Sequence, residues 1–259
     1  MSKILLFLKQ RSLIVSHNII TSATWYSRVL SLLYRLLRGI ILFLVSSNYR
    51  NDRLTEIYYH KHVFQPNSHT GNNRYPKLFK IVYNYFITNK QTLKICSFGC
   101  STGGEVSTLL EYFPTDTIIG VDINQYNIKT CRENYLQKNT YFFHSLSNEW
   151  LEEDRFDAIF CLAVLQHTNN RNSNNKIARK FTFQQFVRQI HQFDGKLKIG
   201  GLLILDHCDF FFTSTNIYNR YIPLEVDGNY LIRKRPLYNS FNHREAEVYA
   251  GFRVFQKLA

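Results

Sequence analysis

The sequence predicts an α/β protein with a mostly parallel sheet, helices on both faces, an antiparallel hairpin at the C-terminal edge and an N-terminal helical extension. Two observations support this fold class. Short apolar runs alternate with segments of helical periodicity between residues 93 and 206, which is the rhythm of a parallel sheet. The last two strand candidates, 230–234 and 252–257, have no helix between them, which predicts antiparallel pairing at the sheet edge.

Composition restricts the protein class. The 259 residues are sufficient for one substantial core, and the formal charge of +13 favours an anionic partner: nucleic acid, an acidic membrane surface or an acidic protein. Five cysteines without paired spacing indicate reduced thiols in a cytosolic setting. No metal set is expected around Cys96 and Cys100, because no His or Cys cluster lies near them in the sequence.

The N-terminal part, 1–62, is predicted to be a basic helical extension. The apolar run Ile4 to Leu8 is short and no small-residue cleavage site follows it, so no secretory signal is expected. From Trp25 to Val45 the arginines recur on one helical face and the leucines spread over the others, which predicts a basic amphipathic helix. Its apolar run after Arg38 is far shorter than the roughly 20 residues that span a bilayer. The helix therefore either packs on its own domain or lies on an anionic membrane surface.

The remaining residues, 63–259, are predicted to form the α/β domain. A polar connector over 46–73, with a short helix around 54–62, precedes a helix from Tyr75 to about Asn89. Further helices are expected over 124–138 and 177–197. Further strands are expected over 140–144, 155–161 and, after Gly200-Gly201, 202–205.

The stretch 93–122 predicts a ligand site. An apolar run ending at Phe98 is followed by a glycine turn over 99–104, a helix, and a second apolar run that stops at Asp122. This is a Rossmann-like unit, with a nucleotide-type ligand over the glycine turn and Asp122 binding its ribose hydroxyls. Capping of the next helix is the purely structural alternative for Asp122.

Four motifs in order, FGCSTGGE, GVD, RFDAIFCLAVLQHT and LKIGGLLIL, resemble the class I S-adenosylmethionine-dependent methyltransferases from about Thr70 to Asp206. The resemblance implies S-adenosylmethionine as cofactor. Ser97 replaces the usual acidic residue at the start of the glycine motif, and Ser101 replaces a glycine. The cofactor residues implied by the resemblance are Gly99, Cys100, Ser101 and Gly103 in the turn, Asp122 and Ile123 after the second strand, Ser145 and Leu146 after the third, and Leu162 and Ala163 at the fourth.

A narrower likeness is to the chemotaxis-receptor methyltransferases, which have a Thr-x-x-x-Arg element like Thr70 to Arg74. By that resemblance Arg74 would bind the methionine carboxylate of the cofactor and Glu105 its amino group. Without it, Arg74 is a solvated surface residue and Glu105 a first-turn acid favoured by the helix dipole.

His167, just after the fourth strand, is a substrate-side candidate, with a structural loop histidine as the alternative. The expected reaction is methyl transfer to an oxygen or nitrogen of a small molecule or a protein carboxylate. An RNA acceptor is less favoured, because no aromatic-basic signature is present. A non-catalytic binding module on a membrane or partner, and a dehydrogenase, are further alternatives. A cytoplasmic location is expected, with membrane association as the alternative.

Overall fold

The computed structural model describes residues 25–68, 70–87, 91–135, 139–171 and 176–259. The chain divides into two compact units, 1–51 and 52–259. The expectation about a secretory signal concerns residues outside the described ranges. The predicted domain boundary at residue 62 stays a prediction.

The first unit contains helix α1, Trp25–Val45, with the predicted bounds. Ser46 separates it from α2, Ser47–Tyr58, whose residues from Asp52 onward belong to the second unit. Helix α2 begins seven residues earlier than the predicted helix at 54–62. Ser46 Oγ accepts a hydrogen bond from the Tyr49 N–H (3.3 Å), which caps the start of α2. Within the described residues no single helix has the length and apolar character of a membrane span, although Val29–Val45 and Ser47–Tyr58 together satisfy the length and composition requirement as a bent pair.

The second unit is built on a seven-stranded sheet with strand order β3-β2-β1-β4-β5-β9-β6. Strands β1 to β5 are mutually parallel, and β9 pairs antiparallel with both β5 and β6. Strands β7 and β8 form a separate antiparallel hairpin. The strands are β1 Lys94–Phe98, β2 Thr117–Asp122, β3 Thr140–His144, β4 Phe156–Leu162, β5 Leu197–Asp206, β6 Tyr221–Pro223, β7 Leu231–Tyr238, β8 Arg244–Gly251 and β9 Val254–Lys257.

Helices cover both faces of the sheet, as predicted. Successive β1 residues point to opposite sides, so that Ile95 packs in one core cluster and Cys96 in the other. The first cluster includes the apolar stripes of α3 and α4, and the second includes the apolar stripe of α7 together with Trp150 of α6. The helices of this unit are α3 Pro76–Phe86, α4 Gly104–Tyr112, α5 Gln125–Asn134, α6 Asn148–Glu152 and α7 Phe183–Lys196.

The antiparallel C-terminal edge is confirmed, but its pairing differs from the prediction. The candidate at 230–234 lies in the β7–β8 hairpin, whereas the candidate at 252–257 supplies β9. The partners of β9 are β5 and the short strand β6, which sequence patterning did not identify. A three-residue edge strand is too short to produce a recognisable alternation.

The α7–β5 boundary also differs from the prediction. Helix α7 begins six residues later than predicted, at a capping box between Thr182 and Gln185. It ends at Lys196, and Gly200-Gly201 lies inside β5 rather than in a turn before it. Gly200 has φ +78°, and the β4–β5 register shifts between Phe156 and Ala158, so the glycine belongs to an irregularity of the strand pair.

All five cysteines are free and buried. Cys96 and Cys161 lie in strands of the central sheet, and Cys208 follows β5. Cys100 lies in the glycine turn and is hydrogen-bonded to Cys131 of α5, whose Sγ also donates to the Ser101 carbonyl at 3.3 Å. Burial is the main effect that raises the pKa of the Cys96 and Cys161 thiols well above the ordinary value.

Candidate functional site

A cleft opens at the carboxyl ends of β1 to β4, where the strand order reverses between β1 and β4. Residues 62–68, together with Asp52 and Thr55 of α2, line the opposite wall and cover the cleft. Ligands of doubly wound sheets bind at this edge. The floor residues are Phe98, Gly99, Ser101, Asp122, Ile123, Asn124, Ser145, Leu162, Ala163 and Val164.

The glycine turn after β1 is held in a left-handed conformation. Gly99 has φ +80°, and a Cβ at this position would lie 2.2 Å from a methyl group of Val164. A side chain at position 99 is therefore excluded by both conformation and contact. Ser101 occupies the position where a dinucleotide-binding turn has glycine. Its φ of +52° shows that the serine adopts the left-handed conformation that glycine favours.

Asp122 is fixed at the end of β2 by three donors. Its Oδ2 accepts the Ser101 N–H at 2.8 Å, while Oδ1 accepts the Asn124 N–H at 2.7 Å and Asn127 Nδ2 at 3.2 Å. Burial is the largest effect and raises its pKa, and these three hydrogen bonds oppose it. A carboxylate has about four acceptor positions, so these three donors from the described residues leave about one position for a ligand in the cleft.

Asp52 brings a second carboxylate to the same cleft, from the covering side. It accepts hydrogen bonds from the Ser68 N–H (3.2 Å), Ser68 Oγ (2.7 Å) and Asn124 Nδ2 (3.1 Å). Its charge contributes to raising the Asp122 pKa, which places the two acids within electrostatic range. Sequence reasoning missed Asp52, because it lies in a polar stretch without a motif.

Glu105 supplies an acid beside Ser97, where the sequence departs from the family pattern. Ser97 Oγ donates to Glu105 Oε1 at 2.7 Å, so the first turn of α4 brings a carboxylate to the end of β1. Burial is the main effect that raises the pKa of Glu105 to about 7, against the Ser97 hydrogen bond and the positive charge of Arg74. Arg74 itself is exposed, and its guanidinium carbon lies 5.4 Å from the centroid of the Tyr75 ring.

The structure places the other predicted residues as follows. Within the described residues, Gly99, Ser101, Asp122, Ile123, Ser145, Leu162 and Ala163 line the cleft, whereas Arg74, Cys100, Gly103, Glu105, Leu146 and His167 are outside its lining. Leu146 lines an adjoining cavity that shares Ser145 with the cleft.

Two of the residues outside the lining have clear structural contacts. The Gly103 carbonyl accepts the Tyr135 hydroxyl at 2.7 Å. His167 is buried, and its backbone N–H donates to Asp209 Oδ2 at 2.8 Å. The site assignments for these residues stay predictions.

A charged cluster lies beside the cleft at the end of β5. Leu162 pairs with Asp206, and the residues that follow them, Ala163 and His207, both have left-handed backbones, with φ +64° and +56°. Adjacent non-glycine residues in this region are unusual and are found mainly at functional sites. Sequence reasoning noted Asp206 and His207 only as the end of the strand.

Neighbouring elements hold this cluster. Arg233 of β7 donates to His207 Nδ1 at 2.7 Å and to Asp206 Oδ1 at 3.1 Å. The Tyr75 hydroxyl lies 3.4 Å from His207 Nδ1, and Glu105 is among the charges that raise the Tyr75 pKa after burial, the main effect. Burial is the largest effect on His207 and lowers its pKa; Asp206 opposes this effect, and the charges of Arg233 and Arg235 add to it, so the neutral imidazole is favoured near pH 7.

An aromatic cavity continues from this cluster. Its lining combines Asp206, His207 and Cys208 with the rings of Phe210, Phe211, Phe212, Tyr218, Tyr230, Tyr249, Phe252 and Phe255. Such a lining, apolar with a few polar groups at one end, is typical of sites for small organic molecules. Among the described residues no group of three or more His, Cys, Asp or Glu side chains is arranged to hold a metal ion.

Residues 96–202 match a family model described as a methyltransferase domain. This segment runs from β1 into β5 and includes every floor residue of the cleft. The narrower likeness to the chemotaxis-receptor methyltransferases is not supported by the comparisons. Roles for Arg74 and Glu105 in cofactor binding can therefore be argued only from their positions in this structure. No curated protein matches the chain.

Several solved structures resemble this chain. They include the plantazolicin methyltransferase BpumL in complex with SAH (13% identity, 64% of this chain, TM-score 0.39), a putative O-methyltransferase from Nostoc punctiforme (14%, 49%, 0.36) and the [4+2]-cyclase SpnF (18%, 49%, 0.34). The chain spans 55%, 36% and 42% of their respective lengths, which is about half or less.

Proposed function

Because residues 96–202 match a family model for a methyltransferase domain, we propose that this protein transfers a methyl group from S-adenosylmethionine to an oxygen or nitrogen of an acceptor. The cofactor would bind in the cleft at the carboxyl ends of β1 to β4. The observation that carries the proposal is the fixed carboxylate of Asp122, directed at that cleft beside a glycine turn.

The carboxylates of the cleft provide hydrogen-bond acceptors that fit the ribose hydroxyls of this cofactor. Two adjacent hydroxyls require more than one acceptor, and Asp122 keeps about one free acceptor position. Asp52 lies on the opposite wall with its own carboxylate, so we assign the ribose hydroxyls to Asp122 and Asp52 together.

At the methionine end, Glu105 supplies an anion for the amino group. Its position beside Ser97 substitutes for the acid that the family places at position 97, so the missing residue does not remove the charge. Arg74 is close enough to affect the Glu105 pKa and supplies a cation for the cofactor carboxylate.

When bound, S-adenosylmethionine supplies a methyl group activated by a positively charged sulfur. This chain contributes position and exclusion of water: residues 62–68 cover the cleft, while Leu162 and Ala163 present apolar surface on its floor. His207, held by Arg233 and beside the Tyr75 hydroxyl, is suited to position the acceptor through a hydrogen bond.

For the acceptor we favour a small molecule with an aromatic or otherwise flat apolar body. The aromatic cavity that includes His207 supports this choice, because rings line most of it and the polar side chains of Asp206 and His207 lie at one end. A protein carboxylate and an RNA base remain as alternative acceptors.

Cofactor binding is tested by calorimetric titration with S-adenosylmethionine. Asp122→Ala is expected to weaken binding about a hundredfold, because it removes charged hydrogen bonds to the ribose. Asp52→Asn is expected to weaken it about tenfold. Asp227→Ala, which removes an exposed carboxylate elsewhere, is the matched control and should bind normally. No binding at millimolar cofactor, or equal affinity in Asp122→Ala, contradicts the proposal.

Methyl transfer is tested with cofactor labelled in its methyl group and a cell extract, followed by separation into RNA, protein and small molecules. Label in the small-molecule fraction supports the favoured acceptor class. His207→Ala should then bind the cofactor normally but transfer the label at least tenfold more slowly, because the acceptor loses a group that positions it. Cofactor binding without label in any fraction would instead identify a non-catalytic binding module.

A further inference from the structure

Net positive charge is concentrated at the N-terminal end of the chain, because acidic residues are missing there. Residues 1–51, here called the basic segment, contain no aspartate or glutamate, and they hold seven of the 32 lysines and arginines. More than half of the formal charge of +13 therefore lies on one fifth of the sequence. The basic residues are Lys3, Lys9, Arg11, Arg28, Arg35, Arg38 and Arg50.

Helix α1 of the basic segment presents an unusual amount of apolar surface. Twelve large apolar side chains of this helix are between 46% and 76% exposed, beginning with Trp25 and Tyr26. The contrast is α3, whose stripe of Leu78, Phe79 and Val82 is at most 1% exposed. A surface this apolar on a helix of 21 residues marks an interaction site.

The arginines and the leucines of α1 occupy opposite faces of the helix. At 100° per residue, Arg28, Arg35 and Arg38 lie within one quarter of the helix circumference. Leu33, Leu37 and the other leucines of the stripe centre on the opposite side. A helix about 31 Å long with an arginine face, a leucine face and aromatic residues at one end has the character of a helix in a membrane interface.

A second copy of the chain is the main competitor for this surface. Leu30, Leu33, Leu37, Ile40 and Leu44 follow the 3–4 spacing of a coiled coil. However, a homodimer would bring together two basic segments without an acidic residue to pair with either. Exposed Val29, Leu32 and Leu36 also extend the apolar surface beyond a coiled-coil seam. Charge complementarity favours an anionic partner, and the leucine face favours lipid over nucleic acid.

We propose that the basic segment binds the surface of an anionic phospholipid bilayer, with the leucine face of α1 in the acyl-chain boundary and its arginines at the headgroups. The methyltransferase domain is thereby held at a membrane surface. This proposal does not depend on catalysis, because it rests on α1 and on the charge of residues 1–51.

The test is co-sedimentation of the full chain with vesicles of phosphatidylcholine alone, or with about one third phosphatidylglycerol. Binding is expected to the anionic vesicles, to weaken with salt, and to be much lower with phosphatidylcholine alone. Leu33→Glu with Leu37→Glu should reduce binding about a hundredfold, because charge is placed in the apolar boundary. Arg35→Gln with Arg38→Gln should reduce it more than tenfold, at about fivefold for each arginine.

The chain provides a matched control and an internal probe. Ile199 and Ile232 are 73% and 69% exposed outside the basic segment, and their joint change to glutamate should leave vesicle binding unchanged. Trp25 and the fully buried Trp150 are the two tryptophans, so a blue shift of emission on vesicle binding reports Trp25, and Trp25→Phe should remove it.

Two results overturn the proposal. One is a wild-type chain that fails to sediment with anionic vesicles although it binds S-adenosylmethionine, which would indicate that α1 packs within the protein. The other is a dimer in solution that does not bind vesicles and that Leu33→Glu with Leu37→Glu dissociates. Unimpaired vesicle binding in a catalytically silent protein would support membrane association while contradicting the proposed activity.

Discussion

At the scale of single residues, Ser101 shows strain in the turn that forms the cleft floor. The left-handed backbone at φ +52° costs a residue with a Cβ about 1–2 kcal/mol. The hydrogen bonds described for Ser101 use its backbone N–H and carbonyl, which glycine keeps. Ser101→Gly should therefore stabilise the protein by about 1 kcal/mol, measured as a rise of the melting temperature of about 2–4 °C.

The matched control is Lys129→Gly, on the exposed side of α5. Glycine in a helix interior costs about 1 kcal/mol, so the same substitution type should lower the melting temperature there. A lower melting temperature in Ser101→Gly would contradict the view that this position is strained.

Glu105 predicts a pH dependence of cofactor binding. Its pKa near 7 means that the carboxyl is largely protonated at pH 6, and a cationic group must displace that proton to bind. The affinity for S-adenosylmethionine should rise severalfold from pH 6 to pH 7.5, and the dependence should flatten in Glu105→Gln. Calorimetry between pH 6 and pH 7.5 avoids most of the titration of the cofactor's own α-amino group, since the pKa of such a group is about 7.8.

The same group has the opposite effect on stability. The unfolded carboxyl releases its proton near about 4.3, so the folded state binds more protons between there and pH 7, and stability falls as pH rises through that window. Glu105→Gln should then melt higher than wild type at pH 8 but not at pH 4. Glu225→Gln, which changes an exposed acid after β6, should show neither effect.

At the scale of elements, the β7–β8 hairpin is attached by a buried ion pair. Arg235 Nη2 lies 3.0 Å from Asp209 Oδ1, and both side chains are at most 6% exposed. Asp209 also accepts the His167 N–H and Asn170 Nδ2, so the loop after β4 depends on the same carboxylate. Arg235→Met should destabilise the protein by about 3–5 kcal/mol, because a buried charge loses its partner.

Thermal unfolding measures this loss, which corresponds to about 10 °C for a domain of this size. Lys234→Met, at the neighbouring exposed position of β7, should leave the melting temperature nearly unchanged. Equal effects of the two substitutions would show that Asp209 does not depend on Arg235.

At the scale of the whole molecule, the cleft collects residues from four strand ends and from the covering segment. A ligand bound there should stabilise the entire α/β unit, by about 2.7 kcal/mol at a hundred times its dissociation constant. We expect S-adenosylmethionine to raise the melting temperature by about 5–10 °C. Asp122→Ala at the same concentration should show a much smaller rise, and an equal rise would place the ligand elsewhere.

The sequence predicted the parts of this fold that depend on local periodicity. Strands such as Thr140–His144 and the helix Trp25–Val45 appear with the predicted bounds, because a run of apolar residues specifies them. The capping pattern of Thr182 and Gln185 marks the start of α7 in the sequence, six residues after the predicted start. Gly200-Gly201 was misread, because a glycine pair in a strand irregularity has the same local signature as a turn.

In the candidate site, too, the residues in local motifs were predicted, and the residues brought in by long-range contacts were not. The motif residues after β1 and β2 lie in the cleft, as their order implied. Asp52 and Arg233 could not be found, because each reaches its site through a fold contact across a long sequence separation. Glu105 was identified, but its contact with Ser97 required the geometry of the first turn of α4.

The burial of all five thiols gives the molecule its own reporters of opening. A thiol reagent reacts with the thiolate, so Cys96 and Cys161 in the sheet should label only as fast as the sheet unfolds. Cys100 is part of the glycine turn and Cys131 donates to the Ser101 carbonyl of the same turn, so both thiols are expected to label faster when the cleft floor opens. If the cofactor slows the labelling of these two thiols, the ratio of the labelling rates without and with cofactor measures how much the bound ligand suppresses opening of the cleft floor.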